Sequence, residues 1–268
     1  MKYSSPYLGR LSSIRDGHHP DILQRLPRQA LCGDDGQAIS VYGCDFWCCY
    51  EVSALFLNAK PFSVVLSFSV DRSSKFLVES KSLKLYLLAF NQQRFETVKD
   101  LLCCISDDLT ACLEVEVSCC LEDTSLWSSV IPSVYQSLDK VDEFVCMDRP
   151  DISQLLYDST IKAKKKVYTQ LFRSLCPVTQ QPDWATVFVD YEGALIDEAS
   201  LLSYVCAYRT KLDFHEVCVD SMYRDLWGLG VFDSLTVSAS FVRRGGISIS
   251  PMRSSALISR FVYRDFRY

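Results

Sequence analysis

Val64, Leu66, Phe68 and Val70 alternate with Val65, Ser67 and Ser69, and this period of two predicts a β-strand after Lys60-Pro61. An aromatic, apolar stretch from Asp45 to Leu57 predicts the strand before it. A turn at Asp71-Arg72-Ser73-Ser74 leads into Phe76-Leu77-Val78, and a helix is expected to start within Glu79-Ser80-Lys81-Ser82-Leu83-Lys84, capped by Ser80 or Ser82. Free N–H groups at such a start favour an anion. A second helix is predicted over Glu96 to Leu109, and a strand where Leu113, Val115 and Val117 alternate with Glu114 and Glu116.

The pattern loosens from Leu121 to Arg149, which predicts a junction between a module at 1–147 and one at 148–268. Ile152 to Phe172 is expected to be helical, its lysines at 162, 164, 165 and 166 forming a solvated face. Thr186 to Tyr191 predicts a strand ended by a turn at Glu192-Gly193. Helices are expected over Ala199 to Tyr208 and from Phe214 onward, with Val219, Met222, Tyr223 and Leu226 on one stripe. Strands are expected at Leu235 to Phe241 and from Ile247 to Pro251, joined by the turn Arg243-Arg244-Gly245-Gly246. Both halves thus read strand, strand, helix, helix, strand, strand. Leu77-Val78-Glu79-Ser80 lies over Leu195-Ile196-Asp197-Glu198, which predicts a diverged duplication.

Residues 1 to about 40 show little periodicity and are expected to form an irregular surface arm. The chain has 268 residues, is 49% hydrophobic and 23% charged, and carries a net charge of -5, which argues against a broad grip on nucleic acid or an anionic membrane. The first residues lack an apolar signal stretch and no later run reaches membrane-spanning length, so a cytoplasmic protein is expected. Thirteen cysteines but only three histidines leave little for a Cys/His metal cage, and no metal is expected. Most of the thiols are expected to be small core residues.

One stretch stands apart: Cys176-Pro177-Val178-Thr179-Gln180-Gln181-Pro182-Asp183. Its prolines fix two φ angles and predict a rigid loop holding a thiol and a carboxyl toward one space. A thiol nucleophile needs activation and its adduct a proton donor, for which Asp183 and His215 are candidates. The carboxylates of Glu79 and Glu216 can read a ligand edge that presents N–H groups. Taken singly, Cys176 is as well explained by burial, and His215 by packing at a helix start.

Taken together, Cys-Pro-Val-Thr-x-Gln-Pro-Asp at 176–183, Phe-His-Glu-x-Cys-Val at 214–219, Glu-Ser-Lys-Ser-Leu-Lys-Leu-Tyr at 79–86 and Arg-Arg-Gly-Gly-Ile at 243–247 resemble the NADPH-dependent 7-cyano-7-deazaguanine reductases, the nitrile reductases of queuosine biosynthesis. The long, two-module form matches best, densely over about 45–95 and 165–255 and thinly over 96–165. The resemblance implies an α+β protein of tandem tunnelling-fold modules, each an antiparallel four-stranded sheet with two helices, assembling as a homodimer into a closed β-barrel with sites at module interfaces. It implies Cys176, Asp183 and His215 as catalytic residues acting through a covalent thioimide. Val78, Glu79, Ser80, His215 and Glu216 would bind the substrate, and Ser80, Lys81, Arg244 and Gly245 the NADPH. No G-x-G-x-x-G follows a strand, so a dinucleotide-binding fold is not expected to supply the cofactor site. Ser250 and Gln180 depart from the family pattern, at positions that carry no covalent step. Cys218, three positions after His215, is expected near Cys176 and able to form a reversible disulfide with it. Two other readings remain open, a different tunnelling-fold purine or pterin enzyme of the cyclohydrolase kind and a non-catalytic purine-binding module.

Overall fold

A computed structural model describes residues 15–29, 41–126, 130–257 and 263. The chain is an α+β protein that divides into two compact units. One is drawn from Met1–Asp35, Asp45–Trp127 and Arg243–Ile249, the other from Gly36–Cys44, Ser128–Val242 and Ser250–Tyr268.

In the first unit β1 (Arg25–Pro27) pairs antiparallel with β4 (Phe76–Val78), and the long strands β2 (Tyr42–Phe56) and β3 (Pro61–Asp71) lie side by side. Two helices follow, α1 (Ser80–Ala89) and α2 (Val98–Leu113), with the short β5 (Arg94–Phe95) between them pairing with β2. Leu101, Ile105, Leu109 and Leu113 are buried at helical spacing along α2 and meet Trp47, Val52, Leu66, Phe68 and Tyr86 in one core. Thr97 and Asp100 close the start of α2 with a capping box.

The predicted strand at 113–117 is absent, because the apolar stripe of α2 carries the helix on to Leu113. Glu114 then ends the helix in the left-handed region (φ 56, ψ 32), and the Val117 amide donates to Thr110 Oγ1 instead of a ladder. Of the chain just after α2, only β6 (Cys120–Leu121) joins the sheet, pairing with β3. The N-terminal arm is likewise more structured than expected. Ile22 and Leu26 are buried in this core, and Arg28, itself buried, pairs with the buried Asp45 at 2.7 Å. The remainder of the predicted arm, 1–14 and 30–40, lies outside the described residues.

The second unit holds β7 (Gln136–Ser137), β8 (Tyr157–Thr169), β9 (Arg173–Leu175), β10 (Pro182–Ile196), α3 (Glu198–Cys206), α4 (His215–Gly228), β11 (Phe232–Phe241) and, from Ser250 on, the end of β12 (Ile247–Ser254). Strands β12, β11, β10 and β8 run antiparallel in that order, with β9 folded back on the start of β10. Helices α3 and α4 supply Leu201, Leu202, Val205, Val219, Met222 and Tyr223 to the core over the sheet.

Two expectations fail here. Residues 157–169 form a strand and not a helix, although lysine and alanine favour helices, because extended pairing with β10 sets lysines beside acids. Lys166 meets Asp190 of β10 at 2.8 Å and Lys164 meets Glu192 of β10 at 3.0 Å, while Lys162, opposite Ala194, meets Asp233 of β11 at 2.7 Å. Nor does Glu192-Gly193 turn the chain. It is a bulge in the continuous β10, where Gly193 (φ 154) lets the Val231 carbonyl approach so closely that a Cβ would lie 2.4 Å from its oxygen.

The predicted correspondence of Leu77–Ser80 with Leu195–Glu198 is visible at the two helix starts. Glu79 and Asp197 precede α1 and α3 with matching extended backbones (φ -77, ψ 123 and φ -69, ψ 121). The Glu79 amide donates to Gln24 O at 2.8 Å and the Asp197 amide to Leu156 O at 2.9 Å. Ser82 Oγ donates to Glu79 O and accepts from the Gln24 amide, as Ser200 Oγ does with Asp197 O and the Leu156 amide.

The thiols also differ from expectation. Of the described cysteines only Cys48, Cys49 and Cys218 are buried, while Cys103, Cys120 and Cys146 are exposed. Helical and loop positions half-expose most of the remainder.

Candidate active site

The second unit gathers the predicted chemical residues on a hairpin and a helix start. Strands β9 and β10 pair with Asp183 opposite Ser174 and Pro182 opposite Leu175. The turn between them closes on itself, the Cys176 amide donating to Gln181 O and the Gln180 amide to Cys176 O, both at 2.9 Å. Gln180 takes the left-handed conformation (φ 56) that this tight return needs. Pro182 is tolerated because it opens its strand. Cys176 is thus half-exposed at the mouth of a constrained hairpin, and Asp183 is 5% exposed just inside it.

His215 is the first residue of α4, and its Nε2 stands 3.5 Å from Asp183 Oδ2. Its ring lies flat on Phe241 of β11, with centroids 3.8 Å apart and planes 7° apart. Stacking fixes the ring plane, and Nδ1 is buried with no hydrogen-bond partner among the described residues. A carboxyl and an imidazole this close can share and pass a proton, and such contacts tighten when substrate arrives. Glu216 is buried beside His215 in the first turn of α4.

Cys218, one turn further along α4, is fully buried. Burial, then the nearby Asp213, pushes its thiol well above the ordinary range, so it is an inert thiol in this state. Both Cys176 and Cys218 carry free thiols.

In the first unit the start of α1 departs from the expected capping. Neither Ser80 nor Ser82 caps the helix. The buried Glu79 does, accepting from the Lys81 amide at 2.9 Å and the Ser82 amide at 2.7 Å. Those N–H groups are therefore occupied, and an anion near α1 would be met chiefly by side-chain cations. Each Glu79 oxygen still has a second lone pair for a ligand N–H. Val78 is buried at the end of β4 and Ser80 is exposed.

The turn at 243–246 comes to the same helix. A Cβ on Gly245 (φ +58) would lie 2.9 Å from Lys84 Nζ, and one on Gly246 (φ +79) would meet the Glu51 carboxylate at 2.6 Å. Lys84 follows Lys81 by three positions, on one face of α1. Glu51, Lys84, Leu88, Gly245 and Gly246 line a shallow depression there, with Arg244 exposed on the turn. Lys84 lies within the Glu-Ser-Lys-Ser-Leu-Lys-Leu-Tyr motif at 79–86, whereas Glu51 lies in none of the motifs. No local pattern marks Glu51, which is recruited solely by folding.

A family model described as nitrile reductase, 7-cyano-7-deazaguanine-reductase N-term, matches residues 15–121, and one described as QueF-like protein matches residues 182–258. Among solved structures, the apo form of the archaeosine synthase QueF-Like is similar at 19% identity and a TM-score of 0.30, over 37% of this chain and 95% of that one. That likeness is too slight to carry weight. Among the described residues no helix is long and apolar enough to cross a membrane.

Proposed function

Because the chain belongs to the 7-cyano-7-deazaguanine reductase family, in its two-module form, we propose that it reduces the nitrile of 7-cyano-7-deazaguanine to the aminomethyl group of 7-aminomethyl-7-deazaguanine in queuosine biosynthesis. The observation that supports this reading is the constrained hairpin that carries both the half-exposed Cys176 in its turn and, where it enters β10, the buried Asp183 that stands 3.5 Å from His215.

In this reading the Cys176 sulfur adds to the nitrile carbon and the nitrile nitrogen gains a proton from Asp183, giving a thioimide. His215, held flat by Phe241, resupplies that proton. Glu216 and Glu79 accept hydrogen bonds from the purine-like N–H edge, with Val78 and Ser80 in contact. NADPH, when bound, would supply the two hydrides of this four-electron reduction, so each nitrile would consume two NADPH and two protons. Lys81, Lys84 and Arg244 suit the phosphates of such a cofactor, and Gly245 leaves room for its backbone-level approach; Ser80 stands at the same helix start. The same reading makes the units tunnelling-fold modules of a cytoplasmic homodimer closed into a β-barrel.

The test mixes the protein with 7-cyano-7-deazaguanine and NADPH and follows the reduced-nicotinamide absorbance. Two NADPH consumed per nitrile is the expected result, and no consumption by folded protein overturns the proposal. Without NADPH, mass spectrometry should find a ligand-sized adduct that Cys176→Ala abolishes.

A further inference from the structure

Outside the residues of the proposed reaction, the first unit assembles a histidine, a cysteine and an aspartate whose ligand atoms all lie within 4.8 Å of one another: His18, Cys104 and Asp108. We propose that these three residues bind a divalent cation of the zinc type, with solvent at the fourth position.

The placement is built. Cys104 and Asp108 are four residues apart on α2 and so share one of its faces. His18 arrives from the other end of the unit, its Nε2 2.6 Å from Asp108 Oδ2. Its approach is held by the Gly17 amide donating to Ala89 O at 2.8 Å, and by the ring lying against Phe90 at 6.0 Å between centroids. Tyr86 donates to the same Asp108 oxygen at 2.5 Å, the outer-sphere hydrogen bond that a ligating carboxylate ordinarily receives.

The donor set selects the metal. One imidazole nitrogen, one sulfur and one carboxylate oxygen suit zinc, whereas magnesium and calcium prefer oxygen alone. Thiolate and carboxylate together balance a divalent charge. Tetrahedral zinc with bonds of about 2.0–2.3 Å separates its ligand atoms by about 3.3–3.7 Å. The His18–Asp108 pair, at 2.6 Å, must therefore open by somewhat under about 1 Å to admit the ion, which side-chain rotation supplies. The cation then takes the place of the proton His18 and Asp108 share. His18 is exposed, which leaves the fourth position to water.

Such a cation fastens residue 18 to α2, and six residues later Gln24 brackets Glu79 through the Glu79 N–H to Gln24 O bond and the Gln24 N–H to Ser82 Oγ bond. Metal loading would therefore steady the segment that holds this carboxylate, whatever reaction the chain performs.

The test strips the full-length protein with a chelator and titrates it with cobalt(II), whose thiolate charge-transfer absorbance reports sulfur ligation. One equivalent should saturate the band, and zinc should displace it and raise the melting temperature. Cys104→Ala should abolish both effects, while Cys103→Ala, at the exposed neighbour, should keep them. His18→Ala should weaken cobalt binding at least about tenfold, since losing a ligand costs no less than losing an outer-shell partner. Cys104→Ser, which also removes the sulfur, is the substitute if Cys104→Ala does not fold, as judged by circular dichroism. Absence of the band, its survival in the folded Cys104 variant, or unchanged cobalt affinity in both His18→Ala and Asp108→Asn overturns the site and leaves His18–Asp108 an ordinary ion pair.

Discussion

His215 Nε2 stands 3.5 Å from Asp183 Oδ2, an imidazole from a helix start facing a carboxylate from the first residues of a strand. Asp183→Asn keeps the shape and removes the transferable proton. It should lower kcat by about 10²–10⁴, the usual worth of a positioned general acid, with unfolding unchanged. Rates within twofold of wild type would remove Asp183 from the chemistry.

Phe241 sets the plane of the imidazole. Phe241→Leu retains apolar volume but frees the ring, so kcat should fall while the KM for the nitrile moves little. A change confined to KM would show that the stack serves substrate fit and not proton transfer.

Glu79 and Asp197 fill the same place in the two repeats, each capping a helix and each bracketed by one backbone segment. Glu79→Ala and Asp197→Ala should each cost about 0.5–2 kcal/mol in urea unfolding, the range for a lost N-cap. Only Glu79→Ala should also raise the KM for the nitrile. Equal KM values for the two variants would leave Glu79 a cap alone.

Gly43 (φ +152) has the Met252 carbonyl oxygen 2.0 Å from where a Cβ would sit, while Gly228, the last residue of α4, has nothing within 4 Å. Gly43→Ala should destabilise by more than about 1 kcal/mol, because backbone must move. Gly228→Ala should stabilise by about 0.5–1 kcal/mol through helix propensity. Thermal unfolding of the two variants in parallel reads both signs.

Burial pushes the Cys49 and Cys218 thiols well above the ordinary range, and that of Cys119 up to about 11. A thiol whose pKa is raised by folding keeps its proton in the native state while the unfolded chain loses it, so its contribution is full below about pH 8.5 and declines above. Urea unfolding at pH 8 and pH 10 should show the loss, and native protein at pH 8 should leave Cys218 unalkylated while Cys176 reacts. Rapid labelling of Cys218 would contradict its burial.

What the sequence by itself determined is local and repeated. Alternation at 64–70 and 235–241, the α4 stripe and the Leu77–Ser80 against Leu195–Glu198 correspondence all follow from side-chain period and chain chemistry, and all recur in the structure. The hairpin of Cys176 and Asp183 was legible for the same reason, since two prolines constrain their own neighbours. Tertiary structure decided the remainder. Residues 157–169 became a strand because β10 offered acids at matching register, which no window of that segment contains. The cap of α1 passed from its serines to Glu79 because β4 ends in an extended backbone from which the longer carboxylate reaches two amides. His18 meets Asp108 across 90 positions. Pairings at such separation have no local period to announce them and are selected only when the whole core closes.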